Sequence, residues 1–218
     1  MKVLIATDSF KGSLKSLEAA ALIGKGIRRV YSAAQVEKIA IADGGEGTVE
    51  AMVESLQGEY RSAEVSDPIG NKVRASYGIV NGDTAIIEMA EASGLYLVPQ
   101  EKRNPLTTST YGTGELIKDA LSRGCRKVIL GIGGSATNDG GMGMAAALGV
   151  KFLDQDGEPL AMGGGFLDRL QRIDVSGIMP LVDETEFVVA CDVNNPLCGE
   201  RGASRVFGPQ KGASPQMV

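Results

Sequence analysis

Apolar and polar positions divide the chain into alternating strands and helices at its start. Lys2-Val-Leu-Ile-Ala-Thr7 is a short apolar run of the kind found in a buried parallel strand, and the polar loop Asp8-Ser-Phe-Lys-Gly-Ser13 follows it. Ser16 is placed to cap a helix, in which Leu17, Ala20, Ala21, Ile23, Ile27 and Val30 share roughly one face. Arg28 and Arg29 sit near its carboxyl end, where cations suit the helix dipole. A second strand is predicted over Val36 to Ile41, a loop over Asp43-Gly-Gly-Glu-Gly47, and a second helix over Thr48 to Leu56, giving a βαβα unit.

From about Tyr60 the period changes to the alternation of antiparallel strands, over Arg61 to Val65, Lys72 to Val80 and Thr84 to Met89. Asn81-Gly82 between the last two is a strong hairpin signal. A second domain or insertion is therefore expected to begin near residue 60. The α/β rhythm returns with a helix that follows Thr107 to Gly114 and ends at Gly124, then a strand over Lys127 to Leu130. Beyond it lie a glycine-rich loop at 131–141, a small-residue helix from Met142 to Leu148, a strand from Val150 to Leu153, irregular sequence through 180, and a strand from Phe187 to Cys191. Ser214-Pro215 has the form of a helix N-cap followed by proline at the first helical position, so the chain reads as a fragment whose next helix begins just before Val218.

Composition narrows the chemistry. The 218 residues include no histidine and no tryptophan, which removes Ser-His-Asp and Cys-His relays and H-E-x-x-H zinc sites. Proton transfer falls to carboxylates, lysine, tyrosine or cysteine. A balance of 22 Lys+Arg against 27 Asp+Glu, with no basic run, predicts neither nucleic acid nor an anionic membrane as partner, and leaves a small molecule as the expected substrate. Cys125, Cys191 and Cys198 form no C-x-x-C pair, and their odd number argues against a disulfide framework. Cys191 and Cys198, seven apart with no histidine or second pair to complete a zinc site, are read as buried thiols. With no signal peptide and no bilayer-length apolar run, a cytoplasmic location is expected.

Four predicted strands run into loops that contain aspartate: Asp8, Asp43, Asn138-Asp139 and Asp192. Ligands of open α/β sheets bind beyond the carboxyl ends of strands, so these loops are the candidate site. Aspartate also caps helices and turns, and for any one position capping is the blander explanation. Asp8, Ser9, Lys11, Gly12 and Ser13 combine a carboxylate, a cation and hydroxyls before a helix N-terminus, a natural anion site. Asp43 and Glu46, on a loop with three glycines, suit Mg²⁺, which takes one or two carboxylates plus phosphate oxygens. Gly133, Gly134, Ser135, Asn138 and Asp139 form the densest signal, a polar glycine loop fit for a phosphate or a small polyhydroxy ligand. Asp192 and Asn194 follow the last strand as a further carboxylate and amide. The same glycine loop formally matches a dinucleotide fingerprint at Gly131-x-Gly133-x-x-Ala136, the basis of an alternative reading as a nicotinamide-dependent hydroxyacid oxidoreductase. That fingerprint requires a helix beginning inside the motif. No G-x-x-x-x-G-K-[ST] occurs, so a P-loop kinase is excluded by motif.

Together Ala6-Thr-Asp-Ser-Phe-Lys-Gly-Ser13, Ile41-Ala-Asp-Gly-Gly-Glu-Gly-Thr48, Gly131-Ile-Gly-Gly-Ser-Ala-Thr-Asn-Asp-Gly-Gly141, Cys191-Asp-Val-Asn-Asn-Pro-Leu-Cys-Gly199 and Phe207-Gly-Pro-Gln-Lys-Gly-Ala213 resemble the bacterial glycerate kinase family, the type unrelated to P-loop kinases. The resemblance extends over the whole chain, although family members continue well beyond its length. It implies an α/β fold with a flavodoxin-like parallel βαβ start, residues 1–60, and a second mixed α/β domain inserted after it, residues 61–218, itself incomplete. It also implies ATP-dependent phosphorylation of D-glycerate, 2-phosphoglycerate as product, and ATP and Mg²⁺ as cofactors. On that reading Lys11, Asp43 and Asp192 are the catalytic candidates, with the two aspartates competing as base. Asp8, Ser9, Ser135, Asn138, Asp139 and Asn194 hold substrate. Gly12, Ser13, Gly133 and Gly134 hold phosphate, and Asp43 and Glu46 hold the metal. Two alternatives stay open beside it: the oxidoreductase, and a truncated chain without turnover that self-associates through the surface left by its missing part.

Overall fold

A computed structural model describes residues 1–8, 10, 13–14, 16–41, 45 and 47–218. β1 (Lys2–Thr7), α1 (Ser16–Val30) and β2 (Gln35–Ala40) form a parallel βαβ unit in continuous register, from Lys2 opposite Gln35 to Thr7 opposite Ala40. Ser16 is the first residue of α1 rather than its cap, and its hydroxyl donates to the Thr7 carbonyl at 2.6 Å, latching the helix to the end of β1. The buried face of α1 is also not the predicted one. Ser16, Ala19, Ala20 and Gly24 are buried, and Gly24 packs close to Ile5 and Val36. Leu22, Ile23 and Val30 are 52%, 41% and 75% exposed, because a two-stranded sheet is too narrow to cover the whole apolar arc. Leu4 and Ile39, on the two strands themselves, are likewise exposed.

α2 (Thr48–Leu56) packs elsewhere. Its Val49 and Val53 lie against Val80 and Ile86 of a five-stranded sheet ordered β3-β4-β5-β6-β9. In that sheet β3 (Glu59–Ser66), β4 (Lys72–Val80) and β5 (Thr84–Glu88) are joined antiparallel, and β6 (Lys127–Gly131) and β9 (Glu186–Ala190) continue it in parallel. Asn81 and Gly82, with φ of 54° and 83°, make the expected turn between β4 and β5. β5 leads into the single turn α3 (Ala90–Ser93), and the second face of the sheet carries the main core. Tyr77, Ile87, Val128 and Leu130 meet Leu116, Ile117 and Leu121 of α4 (Tyr111–Ser122) there. β5 lies between α2 and α4 and is buried at all five positions, which explains its nearly unbroken apolar run.

α4 begins at Tyr111, inside the Thr- and Gly-rich segment expected to precede the helix, so only residues 107–110 of that segment are loop. After β6 come α5 (Met142–Ala147) and β7 (Lys151–Leu153). The segment expected to be irregular holds β8 (Arg172–Asp174), which pairs antiparallel with β7. α6 (Ala203–Phe207) also has no counterpart among the predicted elements. β9 forms one edge of the sheet with Phe187, Val188 and Val189 all exposed, so neither of its faces is covered among the described residues. Cys191 and Cys198 beyond it are exposed, which corrects the expectation that these two are buried thiols, and Cys125 alone of the three is buried. At Ser214 the hydroxyl accepts the Met217 N–H and the carbonyl accepts the Val218 N–H, the bonds of a first helical turn.

Candidate functional site

Parallel strands bring their carboxyl ends to one edge. Glu88, Gly131 and Ala190 end β5, β6 and β9 in register with one another, so the 131–141 loop and the Asp192 segment leave the sheet side by side. Thr7 and Ala40 likewise end β1 and β2 at one edge, from which the segments following Asp8 and Ile41 depart. Glu88 links the two regions. This carboxylate is 8% exposed and accepts the backbone N–H of Val49, in the first turn of α2, at 2.8 Å. It thereby holds the helix that follows the Asp43–Gly47 motif against the end of β5.

The glycine loop is fixed along its length. Gly94 and Ser135 form an isolated bridge, the Ala136 N–H donates to Ser93 O at 2.8 Å, and the Leu95 N–H donates to Gly134 O at 2.9 Å. The Thr108 hydroxyl donates to the Ala136 carbonyl at 2.9 Å. Asp139, only 1% exposed, is the hub of the loop's second half. Its Oδ2 accepts the Thr110 N–H at 2.8 Å and the Gly143 N–H at 3.2 Å, and its Oδ1 accepts the Gly141 N–H at 3.1 Å. The Thr110 hydroxyl donates to the same carboxylate and accepts the Met144 N–H at 2.9 Å. One carboxylate thus serves the N-termini of α4 and α5 together, satisfying orphan donors and complementing both dipoles. The helices approach so closely that a Cβ on Gly143 would strike the Ser109 hydroxyl and lie 2.6 Å from the Tyr111 nitrogen.

Lys211 completes the loop. It ends a single 3₁₀ turn, Pro209–Lys211, is 9% exposed, and donates through Nζ to Ser135 Oγ at 2.7 Å and to the Thr137 carbonyl at 2.6 Å. Burial lowers its pKa from the usual lysine value to about 8, and the Asp139 charge works against that shift. Asn138 reaches the same C-terminal region through Nδ2, which donates to Ser204 Oγ of α6 at 2.9 Å.

Of the sequence candidates, Gly133, Gly134, Ser135, Asn138 and Asp139 lie together on one loop, with Ser135 and Asn138 partly exposed and Asp139 enclosed. Asp192 and Asn194 are exposed beyond β9. Asp8 and Ser13 are exposed after β1. Ser9, Lys11, Gly12, Asp43 and Glu46 lie outside the described residues. Among the described residues no group of three or more Cys, Asp or Glu side chains is gathered to hold a metal ion. Sequence reasoning missed Lys211 and Glu88. The signals were a lysine inside Gly208-Pro-Gln-Lys-Gly212 and a carboxylate closing the apolar run of β5.

The oxidoreductase reading fails on its own criterion. Gly133 to Ala136 form a turn and a β-bridge, and the next helix starts only at Met142, so no helix N-terminus meets the glycines as a dinucleotide fold requires. What remains is an α/β protein with a polar glycine loop, tied by backbone and side-chain hydrogen bonds, at the carboxyl end of a parallel strand, where the ligands of open α/β sheets bind. The chain belongs to the glycerate kinase family, whose model matches residues 3–218. It is 56% identical to a glycerate kinase of Haemophilus influenzae and 56% identical to the glycerate 2-kinase of Escherichia coli K12, in each case over 100% of this chain and 58% of the relative. A crystal structure from Salmonella typhimurium LT2, assigned as glycerate kinase 2, superimposes with a TM-score of 0.90 at 52% identity, again over 100% of this chain and 58% of the other. The chain therefore spans rather more than half the length of the relatives it matches.

Proposed function

We propose that this chain carries the substrate side of an ATP-dependent kinase that phosphorylates D-glycerate at the 2-hydroxyl, giving 2-phosphoglycerate. The observation that carries this reading is the 56% identity to E. coli glycerate 2-kinase, sustained over 100% of the chain. Phosphoryl transfer needs little covalent chemistry from a protein. It needs a held acceptor, an oriented hydroxyl, and positive charge around the phosphates. Ser135 and Asn138 are partly open donors on a hydrogen-bonded loop, suited to a hydroxyacid. Asp139 acts behind them as the group that fixes the loop and both helix starts, in place of the direct substrate contact expected from its position in the motif. Ser9, Lys11, Gly12 and Ser13 would meet phosphate, with Gly133 and Gly134 bringing backbone close to it, and Asp8 and Asn194 would hold substrate from the neighbouring loops.

Within this chain, which has no histidine, the candidate bases are the carboxylates Asp43 and Asp192. Mg²⁺ would be held by Asp43 and Glu46 with phosphate oxygens, and would neutralise charge developing on the transferred group. The division into a flavodoxin-like unit over residues 1–60 and an inserted domain over 61–218 is part of the same proposal, as is self-association of this chain through its exposed apolar strands. Coupled ADP release with D-glycerate, measured on this chain and on the chain carried to the length of its relatives, tests the activity. NMR of the product identifies the phosphorylated carbon. Turnover in neither protein defeats the kinase reading, and turnover only in the longer one assigns the remaining catalytic parts to the added segment.

A further inference from the structure

A lysine as enclosed as Lys211 is an expensive way to tie down a loop, since a neutral donor could reach Ser135 and Thr137 without desolvating a charge. The loop backbone is in any case already fixed by Ser93, Leu95 and Thr108. What those contacts leave undetermined is the rotation of the Ser135 hydroxyl. An ammonium has only protons to offer, so Ser135 Oγ accepts from Nζ at 2.7 Å and its own hydrogen must point elsewhere, from a partly exposed side chain. Accepting a charge-assisted bond also makes the hydroxyl a stronger donor. The turn that delivers Lys211 is itself locked: Gly212 has φ 93°, and a Cβ there would strike the Arg103 carbonyl.

We propose that Lys211 is a positioning residue that turns the Ser135 hydroxyl outward as a donor to an anionic oxygen of the ligand, either the carboxylate of a hydroxyacid or a phosphate oxygen of the nucleotide. The inference deepens the kinase reading and rests on it for the identity of these ligands. It also implies a pH response. When Nζ loses its proton it gains a lone pair, Ser135 can donate inward, and the outward donor is lost. Among the described residues the one charged group acting on Nζ is Asp139, which favours the ammonium.

The test is equilibrium binding, which does not require turnover. Calorimetric dissociation constants for D-glycerate and for Mg-ATP are measured on the full-length protein, its Ser135→Ala and Lys211→Met variants and the double variant. The expected result is a loss of at least about tenfold for one ligand in each single variant, with the other ligand unaffected and the double variant no weaker than the singles. Loss confined to D-glycerate assigns a carboxylate, and loss confined to Mg-ATP assigns a phosphate. Wild-type affinity for that ligand should fall as pH rises past about 8, and Ser135→Ala should flatten the profile. Ser135→Ala keeps the Lys211–Thr137 bond, so it remains informative if Lys211→Met does not fold. Unchanged affinities in Ser135→Ala, additive losses in the double variant, or no binding of either ligand by the wild type overturns the inference. Binding with the expected coupling but no phosphorylation overturns only the kinase reading.

Discussion

Replacing Asp139 by asparagine changes one atom of a side chain and two of the elements around it. The carboxylate accepts three backbone N–H groups, from Thr110 and Gly143 on Oδ2 and from Gly141 on Oδ1, besides the Thr110 hydroxyl. Asparagine has one acceptor oxygen, and its best orientation keeps that oxygen where Oδ2 was. The amide NH₂ then faces the Gly141 N–H, donor against donor, at an enclosed side chain beside a half-buried backbone. Leaving that group unsatisfied costs about 1–3 kcal/mol, and reducing the three remaining charge-assisted bonds on the Oδ2 side to neutral ones costs roughly 1 kcal/mol each, for a total of about 4–6 kcal/mol. The substitution also withdraws the negative charge that favours the Lys211 ammonium, so the Lys211 pKa should fall further. Urea unfolding read by circular dichroism gives the total, and hydrogen exchange at Gly141 should accelerate more than exchange in β5. A stability loss below about 1 kcal/mol, at an unchanged denaturant slope, would refute the assignment of Asp139 as the shared cap of α4 and α5.

Lys211 leaves a signature in the pH dependence of stability. Its ammonium is held to about 8 in the fold against 10.5 when exposed, so between those values the unfolded chain binds more protons than the native one and stability rises with pH. Relative to Lys211→Met, the wild type should gain roughly 3 kcal/mol between pH 7.5 and 10.5, and a flat difference would disprove the burial of the charge. Tyr77→Phe removes a hydroxyl that donates to Asp119 at 2.7 Å, and should lower stability by about 1–2 kcal/mol in thermal unfolding. Burial, reinforced by that bond, holds the phenol above its ordinary pKa, so the Tyr77 ultraviolet transition should be absent until the chain unfolds in alkali. In thiol titration with a disulfide reagent, Cys191 and Cys198 should react in the native state, whereas Cys125, enclosed and with its pKa raised by burial, should react only on unfolding.

Strand and helix boundaries are legible in the sequence where one local pattern decides them. The hairpin at Asn81-Gly82 and the apolar run of β5 each carry their own explanation. The buried face of α1 differs from its apolar face because spacing shows which side can be covered, whereas coverage depends on how many strands stand beneath it. β8 escapes detection because three residues with a single apolar side chain, Ile173, have no period. The glycine loop announces itself through composition, yet composition does not separate Ser135 and Asn138, which are partly exposed, from Asp139, which is enclosed. Lys211 is the clearest loss. Next to glycine and proline it looks like any solvated loop cation, and only contact with a distant segment reveals that it is enclosed.

That distance has a consequence for how the protein is made. Ser135 and Lys211 are 76 residues apart, so at about 5–20 residues per second a ribosome delivers the lysine about 4–15 s after the serine it must meet. During that interval β5, α4 and β6 are available to fold, while the loop they carry keeps a freely rotating hydroxyl. The scaffold can therefore form before the site is finished, and a chain released before residue 211 would have the sheet without a set Ser135.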